Sequence, residues 1–204
     1  MKNKFNINNL LRDNIKFISS YSSARDDFKN GVTDEMVFLD ANENPFKNGV
    51  NRYPDPYQTN VKEILSKIKG IEKESIFLGN GSDEVLDLIV RAFCEPNKDN
   101  IITLPPTYGM YSVIAAINAI ENRKVLLDRN YQLQVQNILD QVDSNTKIIF
   151  LCSPNNPTGN SFKVTAIEKL LINFNGLVVI DEAYIDFSVQ KSWLSKLEAF
   201  PNLI

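Results

Sequence analysis

CSPNNPTG (residues 152–159) and VVIDEAY (residues 178–184) are the two stretches that best indicate how this chain folds. Each joins a buried-looking apolar run to a polar turn. Apolar runs of this kind predict strands at residues 36–39, 75–78, 100–104, 124–127, 147–151 and 177–180. Helical spacing of apolar residues predicts helices at 57–69, 82–94, 108–119, 135–142 and 164–174, with shorter ones at 7–18 and 193–200. This alternation predicts an α/β fold with a mostly parallel sheet.

The composition, 204 residues with 43% hydrophobic and 23% charged, is that of an ordinary globular protein. The sequence contains neither a membrane-length apolar run nor a signal peptide, so we predict a cytoplasmic protein without membrane association. A net charge of −3 with interspersed signs gives no indication of nucleic-acid binding. The absence of histidine excludes Ser-His-Asp and Cys-His nucleophile systems and HExxH metal sites. Cys94 and Cys152 fit no metal motif, so we predict buried free thiols and no metal site.

Three segments at the predicted strand ends carry unusual residues, namely GNGSDE (79–84), SPNNPTG (153–159) and DEAY (181–184). Ligands of parallel sheets bind beyond the carboxyl ends of the strands, so we expect all three segments to face one crevice. GNGSDE opens a predicted helix, where free amides and the helix dipole favour a phosphate. A plain helix cap explains this turn equally well, and Asp83 and Glu84 would have to point away from a bound phosphate.

The other polar segments also allow two interpretations each. Tyr108, in PPTYGMY (105–111), is placed to stack on a planar ligand, although a core tyrosine is the simpler interpretation. Ordinary turn chemistry accounts for SPNNPTG. Asp181 follows an apolar strand and is costly to desolvate unless it meets a cation, such as a protonated pyridine nitrogen, and Tyr184 can reach the same ligand. A magnesium-binding acid would require a P-loop, which the sequence lacks.

Taken in order, these motifs resemble those of the fold-type I, class I/II aminotransferases, which use pyridoxal phosphate (PLP). The segments LDANENPF (39–46), RYPDP (52–56), GNGSDEVLDLIVRAFCEP (79–96) and PPTYGMYSV (105–113) are similar to the histidinol-phosphate aminotransferases in particular. The resemblance extends from Tyr21 to the end of the chain. It implies an N-terminal arm at 1–40 and a three-layer α/β/α PLP-binding domain at 41–204.

The resemblance implies a role in cofactor binding for several matching residues. Asp181 would pair with the pyridine nitrogen of PLP and keep it protonated. Asn156 and Tyr184 would hydrogen-bond the phenolic oxygen, and Tyr108 would stack on the ring. The cofactor phosphate would be held, mainly through backbone amides, by Gly81, Ser82 and Asp83.

Further residues match family positions that face a second subunit or the substrate. Tyr53 resembles the tyrosine that reaches the phosphate of the neighbouring subunit's cofactor, which implies a homodimer. The family lines its substrate pocket at positions that match Tyr21, Asn42 and Glu43.

The implied reaction converts imidazole-acetol phosphate and glutamate to L-histidinol phosphate and 2-oxoglutarate, in histidine biosynthesis. The motifs leave open another class I/II aminotransferase or a related PLP decarboxylase. A non-catalytic nucleotide-binding α/β module that mimics the motifs is an alternative from a different class.

The family's Schiff-base lysine is expected in an S-K motif after the strand that follows DEAY. The pairs Ser66-Lys67 and Ser195-Lys196 lie in predicted helices, and neither Lys191 nor Lys196 is well placed for this role. We therefore expect the 204 residues to be an N-terminal fragment that ends before this lysine and before the small C-terminal domain.

As a consequence, we predict that the isolated 204-residue chain transaminates poorly or not at all. The measurement is turnover of histidinol phosphate with 2-oxoglutarate by the purified chain. Turnover typical of an aminotransferase would contradict this prediction.

Overall fold

The computed structural model describes residues 5–22 and 37–204, which fall into two compact units. The first unit consists of residues 5–16 and 77–204, and the second of residues 17–22 and 37–76. The predicted division into an arm (1–40) and a large domain (41–204) stays a prediction.

A four-stranded parallel sheet forms the centre of the first unit. Its strands, in the spatial order β2-β1-β3-β4, are β1 (Asn100–Thr103), β2 (Glu121–Lys124), β3 (Thr146–Cys152) and β4 (Leu177–Asp181). Beyond β4, Leu203 forms a parallel bridge with Val178. The two central strands, β1 and β3, and β4 are almost entirely buried, which explains their continuous apolar runs.

The described residues contain six α-helices: α1 (Asp13–Lys16), α2 (Thr59–Lys69), α3 (Gly81–Phe93), α4 (Met110–Ile117), α5 (Val135–Asp140) and α6 (Val164–Asn173). Helix α2 belongs to the second unit and the others belong to the first. Successive strand residues point to opposite faces of the sheet. Phe150 and Val179 pack with α3 and α4 in one core cluster, whereas Leu151 and Ile180 pack with α5 and α6 in the other. Helices therefore cover both faces, and the predicted three-layer α/β/α arrangement is confirmed.

Several predicted elements differ from the observed ones. The strand predicted at 75–78 is wrong, because Lys73–Ser75 is a 3-10 helix and residues 76–78 pair with no strand in the described chain. The strand predicted at 124–127 lies earlier in the chain, at Glu121–Lys124. Its sequence, ENRK, is polar and has no apolar pattern that would predict a strand. Val125 and Leu127 still donate backbone hydrogen bonds to Thr103 and Pro105, which accounts for the apolar pattern there.

The short elements near the ends are also less regular than predicted. The helix predicted at 193–200 is a 3-10 helix, Trp193–Lys196, and the stretch at 7–18 contains only the 3-10 helix Ile7–Asn9 and α1. Met36 lies outside the described residues, and residues 37–39 form no strand.

Both cysteines are free and buried, as predicted. Burial raises the pKa of Cys94 to about 12 and also raises the pKa of Cys152, so both stay thiols at neutral pH.

In residues 5–22 and 37–204, no helix has the length and apolar character needed to cross a bilayer. The same residues contain no group of acidic and cysteine side chains arranged to hold a metal ion.

Asp143 bonds to residues of three strands, β1, β2 and β3. Its Oδ1 accepts hydrogen bonds from Asn100 Nδ2 (3.1 Å) and from Thr146 Oγ1 (3.1 Å), and its Oδ2 pairs with Arg123 Nη2 at 2.7 Å. The hydrogen bonds from Asn100 and Arg123 hold the pKa of Asp143 well below its usual range. The charged carboxylate is therefore the form that favours the folded state.

We predict that Asp143→Asn lowers Tm at pH 7. A depressed folded-state pKa stabilises the fold above the unfolded pKa, and this stabilisation is lost as the pH falls through the folded value. The difference in Tm between wild type and variant should therefore narrow below about pH 4. Thermal unfolding between pH 3 and pH 7 measures it, with the exposed Asp140→Asn as the control. A difference that stays constant on acidification would contradict the role of the charge.

Candidate functional site

Asp181 is the last residue of β4, and its side chain is buried. Its Oδ2 accepts a hydrogen bond from the Tyr111 hydroxyl at 2.7 Å, and its Oδ1 accepts one from the Ala183 amide at 3.1 Å. The Ser153 amide donates to the Asp181 main-chain oxygen, which joins the two strand ends. Among the described residues no lysine or arginine forms an ion pair with Asp181. Neutral donors alone satisfy this buried carboxylate, so the site favours a positively charged ligand.

Tyr111, on the first turn of α4, is a site residue that the sequence did not identify. Its side chain is only 1% exposed, and its ring stacks on Phe150 with centroids 4.9 Å apart and an interplanar angle of 7°. Burial and the charge of Asp181 raise the pKa of Tyr111, so its hydroxyl stays protonated and donates. The sequence signal that could have identified Tyr111 is its position three residues after Tyr108, because residues three apart share a face of the predicted helix.

Tyr108 joins the first turn of α3 to the loop after β1. Its hydroxyl donates to the carboxylate of Asp83, with 3.2 Å to Oδ1, and its ring meets the Tyr111 ring edge to face at 5.6 Å. Partial burial, the hydrogen bond to Asp83 and the nearby charge of Asp181 raise the pKa of Tyr108, and Tyr184 adds to the same effect. Residues from three separate segments therefore meet around Tyr108.

The glycine-rich turn leads directly into α3. Gly81 is its first residue and has a φ of +78°, a conformation that favours glycine. The Glu84 carboxylate folds back to accept hydrogen bonds from Asn80, and the Asp83 carboxylate accepts from Tyr108. The first-turn amides of Ser82 and Asp83 have no acceptor within the helix, so they are suited to an anion. No strand precedes this turn in the described chain, unlike the prediction for GNGSDE.

Asn155 holds together the two proline-containing loops of the site. Its Nδ2 donates to the Pro106 carbonyl at 2.9 Å and to Thr158 Oγ1 at 2.7 Å, and its Oδ1 accepts from Thr107 Oγ1 at 2.9 Å. The side chain is buried, and the neighbouring Asn156 is half-buried. Asn155 therefore fixes the loop that carries Asn156 against the loop that carries Tyr108. The sequence predicted a role for Asn156 but gave none to Asn155.

The remaining predicted site residues have more exposed side chains or belong to the second unit. Tyr184 is 44% exposed. In the second unit, Glu43 accepts a hydrogen bond from the Tyr53 amide and pairs with Arg52 Nη1, both at 2.7 Å. Glu43 therefore anchors the RYPDP segment, in which the Tyr53 side chain is 65% exposed. Tyr21 and Asn42 are also exposed, and substrate binding by these residues stays a prediction.

Two of the lysines considered above as Schiff-base residues, Lys196 and Lys67, lie on helices. Lys196 lies in a 3-10 helix and pairs with Glu168 of α6 at 2.9 Å. Lys67 lies on α2, in the second unit.

The sequence profile described as aminotransferase class I and II matches residues 23–204. The chain belongs to this family of aminotransferases. It is 65% identical over 202 residues to the histidinol-phosphate aminotransferase of Flavobacterium johnsoniae, and the match covers 99% of this chain and 58% of that relative. The chain thus spans little more than half the length of this curated relative.

Solved structures of aminotransferases and of a related decarboxylase share the fold. The histidinol-phosphate aminotransferase of Clostridium acetobutylicum has a TM-score of 0.66 at 22% identity, covering 74% of this chain and 45% of that one. The L-threonine-O-3-phosphate decarboxylase of Porphyromonas gingivalis has a TM-score of 0.61 at 22% identity, covering 74% and 46%. At this level of identity the likeness shows the fold alone, and it confirms the predicted fold class.

We predict that Asn155→Ala destabilises the full-length protein by about 2–4 kcal/mol, because it leaves the partners in both loops without their hydrogen bonds. Urea unfolding of the cofactor-free protein measures this effect. The control is Asn137→Ala on the exposed face of α5, which should change stability by less than about 0.5 kcal/mol. Equal stability of the Asn155→Ala variant and the wild type would show that Asn155 does not hold the loops together.

Proposed function

We propose that this chain forms the cofactor-binding part of a PLP-dependent aminotransferase that produces L-histidinol phosphate. The observation that carries the proposal is the buried Asp181 carboxylate, which neutral donors hold at a strand end. The identity of 65% to the Flavobacterium johnsoniae enzyme supports the choice of substrate. The substrates would be imidazole-acetol phosphate and glutamate, with 2-oxoglutarate as the second product.

The chemistry of the side chains present fits PLP. A buried carboxylate without a cationic partner suits a protonated pyridine nitrogen, since the pair would neutralise both charges in a poorly solvated place. The first-turn amides of α3 suit a phosphate, and the aromatic ring of Tyr108 suits a planar heterocycle. The carboxylates of Asp83 and Glu84 would otherwise repel a phosphate, but Tyr108 and Asn80 engage them.

Bound PLP would supply a protonated ring that withdraws electrons from the substrate carbon that loses its proton. Asp181 would hold the proton on the ring nitrogen. Asn156 and Tyr184 would donate hydrogen bonds to the phenolic oxygen, and Tyr108 would pack against the ring. Gly81, Ser82 and Asp83 would orient the phosphate through their backbone.

The resemblance of Tyr53 to the family's tyrosine supports a homodimer as part of this proposal. Tyr53 would reach the cofactor phosphate in a second copy of the protein, and the hydrogen bond from its amide to Glu43 supports a fixed path for this segment. Tyr21, Asn42 and Glu43 would contribute to substrate binding. Location in the cytoplasm remains part of this proposal.

We predict that Asp181→Ala in the full-length protein lowers kcat by at least about 100-fold, because the ring nitrogen loses the group that keeps it protonated. Turnover of histidinol phosphate with 2-oxoglutarate measures the effect, and the exposed Asp186→Ala is the control. Turnover equal to that of wild type would refute the role of Asp181. A wild-type protein that decarboxylates L-threonine-O-3-phosphate but does not transaminate histidinol phosphate would refute the choice of reaction.

A further inference from the structure

We infer that Tyr111 is a positioning residue for Asp181, fixing its carboxylate in the one orientation that meets the ring nitrogen of PLP. The inference rests on the proposed function, because it concerns how the chain holds the group that would pair with the cofactor. Neither the motifs nor the roles given above assign Tyr111 a part in the reaction.

The two oxygens of Asp181 are held by donors from two different elements. The Tyr111 hydroxyl on α4 donates to Oδ2 at 2.7 Å, and the Ala183 amide after β4 donates to Oδ1 at 3.1 Å. A carboxylate at the end of a short side chain rotates readily when only one oxygen is held. With both oxygens held, its plane is fixed, and each oxygen keeps a second acceptor direction for a ligand.

The donor itself is rigidly placed. The Tyr111 ring lies flat on Phe150 of β3 and makes a T-shaped contact with Tyr108, and almost none of it reaches solvent. In the sheet register Phe150 pairs with Val179, two residues before Asp181 on β4. The donor is therefore packed on β3, the strand that pairs with the one carrying the carboxylate.

The protonation state suits this role. Burial, followed by the charge of Asp181, raises the pKa of Tyr111, so the hydroxyl retains its proton and acts only as a donor. It orients the carboxylate without adding a charge that would compete with a pyridinium. A tyrosine with a purely structural role would instead affect stability alone, and its removal would not alter the properties of the bound ring.

The first experiment compares Tyr111→Phe with the wild type in the full-length protein. In the absence of substrate, we expect the variant to bind PLP about tenfold more weakly than the wild type does. The reason is that the variant loses a hydrogen bond to a charged group. The absorption spectrum of bound PLP should shift towards that of Asp181→Asn, and kcat should fall more than KM changes. The control is Tyr131→Phe, which removes a hydroxyl from an exposed tyrosine distant in sequence.

A double-mutant cycle separates action through Asp181 from an independent effect. In an Asp181→Asn background, Tyr111→Phe should change the dissociation constant of PLP by less than about twofold, because the two effects share one interaction. Additive effects would overturn the inference, as would a Tyr111→Phe variant with wild-type PLP affinity and spectrum.

The same measurements distinguish failure of this inference from failure of the proposed function. If Asp181→Asn weakens PLP binding and Tyr111→Phe does not, the inference is wrong and the proposed function stands. If the wild type binds no PLP, both are wrong. Should Tyr111→Phe fold poorly, 3-fluorotyrosine at position 111 retains the ring and the hydroxyl but changes the donor strength. An unchanged absorption spectrum of bound PLP in that protein would then overturn the inference.

Discussion

The site depends on one buried negative charge, the carboxylate of Asp181 at the end of β4. Removing a carboxylate from water is unfavourable unless hydrogen bonds or an opposite charge compensate it. In this chain two neutral donors, Tyr111 and Ala183, make that compensation in part. What remains uncompensated is the charge itself, and this is the physical reason for the proposal that the crevice binds a positively charged ligand.

The parallel sheet explains why this charge lies among the other site residues. All strands of a parallel sheet end at one edge, so the loops that follow β1, β3 and β4 emerge side by side. The Ser153 amide bonds to the main chain of Asp181, and Asn155 bonds to the loop after β1. The three loops are therefore joined by hydrogen bonds between residues of this chain.

The sequence predicted the buried elements well and the polar ones poorly. Strands β3 and β4 are apolar because both faces are covered, and that pattern is visible without a structure. Strand β2 lies at the edge of the sheet and has the polar sequence ENRK. Because its side chains reach solvent, it lacks the apolar pattern of a buried strand. The sequence did not identify Tyr111 and Asn155 as site residues, for a related reason. Their importance lies in partners that are 70 and 48 to 49 positions away in sequence, which local spacing does not reveal.

The acidic residues at the start of α3 bear on the proposed binding of a phosphate there. Asp83 and Glu84 suit the positive end of a helix dipole, but the same negative charges would repel a phosphate there. Glu84 turns back onto Asn80, and Asp83 accepts the Tyr108 hydroxyl. Both carboxylates are therefore used in fixing the turn and the aromatic ring, while the first-turn amides have no acceptor within the helix. Since the Tyr108 ring also touches Tyr111, which bonds to Asp181, the first turn of α3 and the end of β4 are connected through two tyrosines.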